Sequence, residues 1–190
     1  MKKELMIIGI VFVIIFLGIS GCIEDNKEEN KVKEPLNNLV LNLGDLKEDY
    51  NKFDEEYVTD PYTVPSGLLL KGWIVLEKYE VRFSKNESNF MLQTLARLES
   101  KEKCKEFINN IESMNMSYNF SKEEMDIIGE GSFIGKNITT IFDNKVELYF
   151  LCFRMKDVIV VLLSSDISKE DIINYAGIVE TNINTVITNY

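Results

Sequence analysis

The sequence predicts an α+β fold in which helices flank an antiparallel β-sheet, forming an α-β-α sandwich. Apolar and polar side chains alternate over residues 79–84, and a second strand-like run follows at residues 90–98 after a short polar turn. The next stretch, residues 100–114, repeats apolar side chains three and four positions apart, which is the spacing of one helix face. Three further strand-like runs lie at residues 137–142, 146–154 and 158–164. The short turns between these runs indicate antiparallel neighbours.

Two helices are predicted to cover the sheet. Ser100 is placed to cap the first helix, and Ser168 with Asp171 forms a capping-box signal for the second, which extends to about residue 190. Residues 158–163 are apolar at every position, as expected of a central strand that is covered on both faces. The sequence therefore places helices on both sides of the sheet.

Other stretches are less regular. Alternating leucines predict a short strand at residues 39–43, and residues 50–57 form an acidic, aromatic stretch to which no element is assigned. Residues 68–76 fit a helix and a strand equally well. The loop at residues 115–136 contains a capping-box pattern that begins at Ser121 and predicts one or two helical turns.

The chain opens with the layout of a secretory signal peptide. Lys2 and Lys3 precede a run of apolar residues and glycine at residues 6–19, which would span about 21 Å as a helix. The run ends in the sequence Ile19-Ser20-Gly21-Cys22. This motif resembles the lipobox of prokaryotic lipoproteins, in which the chain is cut before the cysteine and the thiol carries a lipid. The resemblance implies a signal peptide at residues 1–21 and lipidation of Cys22.

An uncleaved N-terminal helix is the alternative to the lipid anchor. Extension of the helix to Ile23 brings its length to about 27 Å, close to the hydrocarbon thickness of about 30 Å. In both cases the predicted partner is a membrane, and the rest of the chain lies on its extracytoplasmic side. Residues 22–38 are charged and polar and predict a flexible, acidic spacer, which leaves a single domain at residues 39–190.

The composition excludes several classes of function. The chain has a formal net charge of −10, and a surface of this sign repels nucleic acid. It contains no histidine, which removes Ser-His-Asp and Cys-His catalysis and histidine metal sites. No motif predicts a cofactor or a metal.

The order of the elements, read together with two short motifs, resembles a known group of folds. The motifs are Tyr79-Glu80-Val81-Arg82-Phe83 and Ile128-Gly129-Glu130-Gly131-Ser132, with the helix at residues 100–114 between them. This arrangement is similar to the α-β-α sandwich of the PsbP and Mog1 group, as found in archaeal and bacterial surface lipoproteins. The resemblance covers residues 39–190 and implies a non-catalytic accessory or binding role. It transfers no functional residue.

The arginines offer one candidate ligand site. Arg82, Arg97 and Arg154 all fall in predicted strands. If they share a sheet face, they can bind a carboxylate or phosphate through paired hydrogen bonds. The alternative is cross-strand pairing with Glu80 or Glu147, which is common on half-exposed sheet faces.

Two cysteines remain once Cys22 is assigned to the lipid. Cys104 and Cys152 either form a disulfide or act as two small buried apolar side chains on separate elements. A disulfide between them would close a loop of about 50 residues and stabilise the domain by about 4 kcal/mol.

Other motifs carry less information. The glycine-rich stretch at residues 129–135 lacks the last glycine of a dinucleotide-binding fingerprint, so a tight connection between elements is favoured over a phosphate loop. Asn-x-Ser/Thr sequences, which accept glycans in exported proteins, are found at Asn86, Asn115, Asn119 and Asn137.

The sequence favours a non-enzymatic extracytoplasmic domain that binds or assists an unknown protein or small molecule. The alternative is a membrane-tethered hydrolase that uses carboxylates or an unrecognised metal site. This alternative predicts a concave pocket with converging acidic side chains.

Overall fold

The computed structural model describes residues 31–47, 49–63, 73–86, 89–117, 119–141 and 144–188. The predicted signal peptide, Cys22 and the first part of the predicted spacer lie outside the described residues. Within the described ranges, no helix has both the length and the apolar composition of a membrane-spanning segment.

The domain is built on an antiparallel β-sheet, as the sequence predicted. Its strands are β1 (Asn51–Val58), β2 (Tyr62–Thr63), β3 (Ile74–Ser84), β4 (Phe90–Leu98), β5 (Ser121–Lys122), β6 (Ser132–Ile141), β7 (Asn144–Met155) and β8 (Val158–Ser165). The spatial order is β1-β3-β4-β8-β7-β6-β5, and β2 pairs with β3 beyond this path. Two helices accompany the sheet, namely α1 (Lys101–Ser117) and α2 (Lys169–Thr188).

The strand pair β3 and β4 is the predicted antiparallel hairpin. β4 has the predicted bounds, and β3 begins at Ile74, upstream of the predicted strand at 79–84. Residues 74–76 of the ambiguous stretch are therefore strand, and residues 64–72 lie outside the described residues. The pairing runs from Ser84 opposite Phe90 to Val75 opposite Leu98, with an irregularity between Val75 and Glu77.

Both faces of β8 are buried, as its continuous apolar sequence predicted. All its residues are buried, and adjacent residues belong to different core clusters. Val160 packs in a cluster that contains Val179 of α2, whereas Val161 packs in a cluster that contains Phe107 of α1. Because successive strand residues point to opposite faces, α1 and α2 pack against opposite faces of the central strands.

Serine hydroxyls cap both helices at the positions that the sequence indicated. The backbone N–H of Lys103 donates to Ser100 Oγ at 3.3 Å, and that of Asp171 donates to Ser168 Oγ at 3.1 Å. Each hydroxyl satisfies a donor in the first turn that has no partner within the helix. The local capping chemistry therefore fixes where the helices begin.

Residues 31–47, named here the N-terminal strap, lie against the same core cluster as α2. They form 3-10 helices at Leu36–Asn38 and Leu43–Asp45, so the predicted strand at residues 39–43 is wrong. The leucines alternate, but Val40 between them is buried as well, and no described strand pairs with this segment. Backbone donors of the strap bond instead to side chains of the sheet.

The strap also moves the domain boundary. Val32 and Leu36 expose only 1% and 0% of their surface, so the domain includes residues that the sequence assigned to the spacer at 22–38. The backbone N–H of Val32 donates to Asp157 Oδ1 at 2.9 Å, and that of Leu36 donates to Glu77 Oε1 at 2.8 Å. The physical reason is that these two apolar side chains are buried and their backbone N–H groups find acceptors in the buried Asp157 and the partly buried Glu77.

The predicted helical turns at Ser121 are absent. Ser121 and Lys122 instead form β5, which pairs with Lys136 and Gly135 of β6. The Ser121 hydroxyl donates to the Lys136 carbonyl at 3.0 Å rather than capping a helix. β6 also begins at Ser132, earlier than the predicted 137, because its first residues pair with β7, beginning with Ser132 opposite Phe153.

Candidate functional site

The first strand of the sheet is exposed along its length. β1 pairs with β3, from Asn51 opposite Ser84 to Val58 opposite Lys78, and occupies the end of the strand order. Every residue of β1 up to Tyr57 is exposed, including the apolar Phe53 at 70%. The sequence assigned no element here, because an edge strand that buries neither face shows no apolar alternation.

A pocket of about 410 Å³ opens beside β1. It is lined by Asp54, Glu55, Glu56, Glu80 and Arg82, and is named here the acidic pocket. The register of β1 and β3 explains its composition, because Asp54 lies opposite Arg82 and Glu56 lies opposite Glu80. The pocket is therefore lined by four acidic residues and one arginine.

A buried lysine lies at the base of this arrangement. The side chain of Lys78 is 2% exposed, and its ammonium group contacts the carboxylates of Glu56 and Glu80, the latter at 3.4 Å. The Thr94 hydroxyl donates to Glu80 Oε2 at 3.4 Å. Burial raises the pKa of Glu80, while the positive charge of Lys78 opposes that rise. Lys78 thus stabilises a carboxylate that would otherwise be costly to bury.

Glu55 is held from the other side of the strand. Hydrogen bonds from Lys52 and from the Tyr79 hydroxyl lower the pKa of Glu55, which keeps it ionised. The Asp54 carboxylate accepts the backbone N–H of Glu55 at 2.9 Å. Asp54, Glu55 and Glu56 thus place three consecutive carboxylates on β1, of which Glu55 and Glu56 are paired with Lys52 and Lys78.

The three predicted arginines are not brought together. Arg82 lines the acidic pocket, but Arg97 and Arg154 lie elsewhere. Arg97 is 3.2 Å from Glu77 and donates to the Glu34 carbonyl at 2.7 Å, so it binds the strap. The interpretation of a shared ligand site is therefore wrong for the trio.

Arg154 has a different role. It forms an ion pair with Glu130 and donates to the Glu130 carbonyl at 2.8 Å. Arg154 and Cys152 lie on the α1 face of β7, whereas Arg97 shares the opposite face with Leu95. Each of these two arginines therefore has a carboxylate partner of its own, namely Glu77 for Arg97 and Glu130 for Arg154.

Cys104 and Cys152 are free, buried thiols in the structure, as in the alternative of two buried apolar side chains on separate elements. Both thiols pack in the cluster between α1 and the sheet. Burial raises the pKa of each thiol well above its ordinary value, because an anion would lose its hydration there. Neither cysteine is a candidate nucleophile.

The glycine-rich stretch at residues 129–135 is a tight connection, as the sequence favoured. Gly129 has a φ of +62°, and a Cβ atom there would lie 2.5 Å from the Arg154 carbonyl oxygen. The N–H of Glu130 donates to that same carbonyl at 2.9 Å, and the N–H of Arg154 donates to the Gly131 carbonyl at 3.0 Å. These groups bond to β7 and leave no cradle for a phosphate.

A larger open groove of about 930 Å³ lies between the segment after β5 and the start of β6. It is lined by Lys122, Glu123, Glu124, Met125, Asp126, Ile127, Ser132, Phe133 and Ile134. Lys169 of α2 holds its wall through an ion pair with Glu123 at 3.2 Å. Within the described ranges, no three His, Cys, Asp or Glu side chains are grouped as metal ligands.

The sequons differ in setting. Asn86 and Asn119 lie outside helices and strands, whereas Asn115 lies in α1 and Asn137 in β6. The two loop positions are the ones whose surroundings resemble those of glycan acceptors.

The chain is similar in fold to the crystal structure of the extracellular domain of PknH from Mycobacterium tuberculosis. The two share 11% sequence identity with a TM-score of 0.52, and the likeness covers 80% of this chain and 94% of that chain. At this identity the likeness shows the fold alone. No family model and no curated protein matches the chain.

Proposed function

We propose that this protein is a lipid-anchored, non-enzymatic domain that faces the extracytoplasmic side of a membrane and binds a partner there. The lipobox-like motif that ends in Cys22 supplies the anchor in this proposal. The extracellular domain to which the fold is similar supports the proposed side of the membrane.

The single observation that carries the proposal is this lipobox-like motif, and the N-terminal strap sets how far from Cys22 the folded domain lies. Ten residue steps separate Cys22 from Val32, and a chain of that length reaches at most about 35 Å. From Val32 onward the chain is fastened to the sheet by buried contacts, including the bond to Asp157. A tether attached at Cys22 therefore holds the whole domain close to the membrane surface.

We also propose the finer architectural assignment, an α-β-α sandwich of the PsbP and Mog1 type. The two core clusters support it, since α1 and α2 pack in different clusters.

The hydrolase alternative is not favoured by the acidic pocket. Its acids converge as that alternative predicts, but Glu80 and Glu56 both contact Lys78, and Glu55 is paired with Lys52. The pKa values of Glu80 and Glu55 are shifted in opposite directions, but general acid catalysis and general base catalysis also need carboxylates that are free to reach a substrate. Carboxylates held as ion-pair partners fit a binding surface better.

Metabolic labelling with a radioactive lipid precursor tests the anchor. We expect label in the wild-type protein and in Cys152→Ala, and none in Cys22→Ala, because lipidation in the lipobox family occurs on that thiol. Cys152→Ala is the matched control, since it removes a buried cysteine that a lipid transferase does not reach. Equal labelling of Cys22→Ala and the wild type would overturn the proposal.

A further inference from the structure

We infer that the outer edge of β1 binds an extended, lysine- or arginine-rich peptide segment of a partner protein by strand addition. This inference deepens the proposed binding role and rests on it. It names the surface and the chemistry of the partner. The observations that carry it are the position of β1, its exposed apolar side chains and the charge beside it.

The backbone of β1 lies at the end of the strand order. An edge strand presents alternate N–H and C=O groups that are not used by its single neighbour. Every ladder pair that β1 forms with a described strand is with β3. The Glu55 N–H is covered by the Asp54 carboxylate, which an incoming strand must displace at that one position.

A docked strand would also contact exposed side chains of β1. Phe53 lies at an irregularity of the β1 register and is 70% exposed, and Tyr57 is 41% exposed. The Tyr57 ring packs edge-on against Tyr79 and its hydroxyl donates to Glu77, so it is held in place. The exposed parts of the Phe53 and Tyr57 rings give apolar contact area at low entropic cost. They fit apolar side chains that alternate with charged ones in an extended peptide.

The negative charge of β1 and of the acidic pocket selects the kind of peptide that can bind there. Asp54, Glu55 and Glu56 are consecutive on the edge, and the acidic pocket continues this surface onto β3. Glu55 and Glu56 are paired with Lys52 and Lys78, so a docked cationic segment shares these two carboxylates and has Asp54 in addition. A second copy of this chain would bring its own net charge of −10 and the same acids against them. A cationic segment gains attraction instead, so the partner is a basic peptide rather than another copy.

The test measures binding of a fluorescent, end-blocked peptide of alternating lysine and valine to the full chain in detergent. Its eight residues match the length of β1. We expect Asp54→Asn/Glu55→Gln/Glu56→Gln to bind about tenfold more weakly at low salt, because three surface charge interactions are lost. The matched control Glu123→Gln/Glu124→Gln/Asp126→Asn changes charge equally in the distant groove, and we expect less than a twofold effect.

A second peptide separates strand addition from simple charge attraction. When every residue is N-methylated, the lysine charges stay but the backbone donors are gone, and we expect at least tenfold weaker binding. Equal binding of both peptides, or an equal loss in the control variant, would overturn the inference. So would concentration-dependent dimerisation that the β1 triple variant abolishes, since a second copy would then occupy the edge.

This experiment does not depend on the lipid. Absence of peptide binding by a chain whose Cys22 is labelled overturns the inference about β1 and leaves the anchor intact. Loss of Cys22 labelling with retained peptide binding overturns the lipid anchor and leaves the inference about β1 intact. Far-ultraviolet circular dichroism of each variant checks that the sheet is formed.

Discussion

At Gly129 the backbone turns with positive φ between the segment that follows β5 and the strand β6. The conformation is one that a residue with a Cβ atom adopts only at a cost, and here the Cβ would also collide with the Arg154 carbonyl. The same carbonyl accepts the Glu130 N–H, so it has little freedom to move away. The glycine is needed for the approach of this connection to β7.

We expect Gly129→Ala to lower the free energy of unfolding by about 2 kcal/mol, since both strain and a backbone collision are introduced. Urea denaturation followed by circular dichroism measures this change. Gly177 in α2 is the control, because nothing lies within 4 Å of the Cβ that alanine would add. Gly177→Ala should raise stability by about 0.5–1 kcal/mol. A neutral Gly129→Ala would contradict the account.

Asp157 is a buried carboxyl group in the turn between β7 and β8. Burial raises its pKa above the ordinary 3.8, and the hydrogen bond from the Val32 N–H and the charge of Arg97 oppose this rise. Among the described residues, no group donates to its second oxygen, Oδ2. The ionised form is therefore only partly compensated.

The pH dependence of stability tests this environment. Between pH 3.8 and the raised folded pKa, the folded state binds more protons than the unfolded state, so the contribution of Asp157 to stability falls as the pH rises. Asp157→Asn keeps an acceptor for Val32 but cannot ionise. We expect the variant to gain stability relative to the wild type as the pH is raised through this window.

Asp171 provides a control of opposite sign. The hydrogen bond from Lys47 lowers its pKa below 3.8, so its contribution is present above that pH and is lost as the pH falls through the lowered folded value. Urea denaturation of Asp157→Asn and Asp171→Asn from about pH 3 to pH 7 compares the two. A difference between the wild type and Asp157→Asn that is constant with pH would count against the buried ionised group.

Among the elements, the N-terminal strap shows most clearly what local sequence leaves out. Its apolar residues are interrupted by polar ones at no regular period, so neither a helix nor a strand pattern marks it as core. Its positions are set by acceptors that are far away in the chain, such as Gln93, whose Oε1 accepts the Leu41 N–H at 3.0 Å. Such long-range contacts leave no trace in a window of neighbouring residues.

Replacement of one strap residue measures how strongly the segment is held. We expect Leu36→Ala to cost about 3 kcal/mol, because a fully buried side chain is removed and a cavity is left. Leu43 is 46% exposed, and Leu43→Ala should change stability by less than about 0.5 kcal/mol. Equal effects of the two changes in chemical denaturation would show that the strap does not pack on the sheet.

The elements that the sequence did predict share a different property. α1 and α2 have periodic apolar faces and serine caps, and β4 follows a short turn after a strand with alternating apolar residues, so their neighbours in sequence indicate their structure. β1 escaped prediction because it is exposed on both faces. The acidic pocket could not be predicted either, since it depends on the register that sets Glu56 opposite Glu80. The acidic run and the strand at residues 79–84 were both visible in the sequence, but their pairing was not.

At the scale of the whole molecule, charge and topology act together. The net charge of −10 indicated only that nucleic acid is an unsuitable partner. The sheet order adds a location, because it brings an acidic run to an exposed edge beside carboxylates of β3. Acidic edges also oppose pairing between copies, so one feature serves solubility and selectivity for a cationic partner.

The strap has a further consequence for the order in which the protein can be completed. Val32 bonds to a residue 125 positions later, Lys47 to one 128 positions later, and Val40 to one 142 positions later. Since a chain is synthesised from its amino terminus, the strap is made long before its bonding partners in the turn before β8 and in α2. It can form these contacts only after those residues have been made. Contacts of such long range also slow the folding reaction. The part of the domain nearest the proposed tether is thus the first to be made and among the last to be fixed in place.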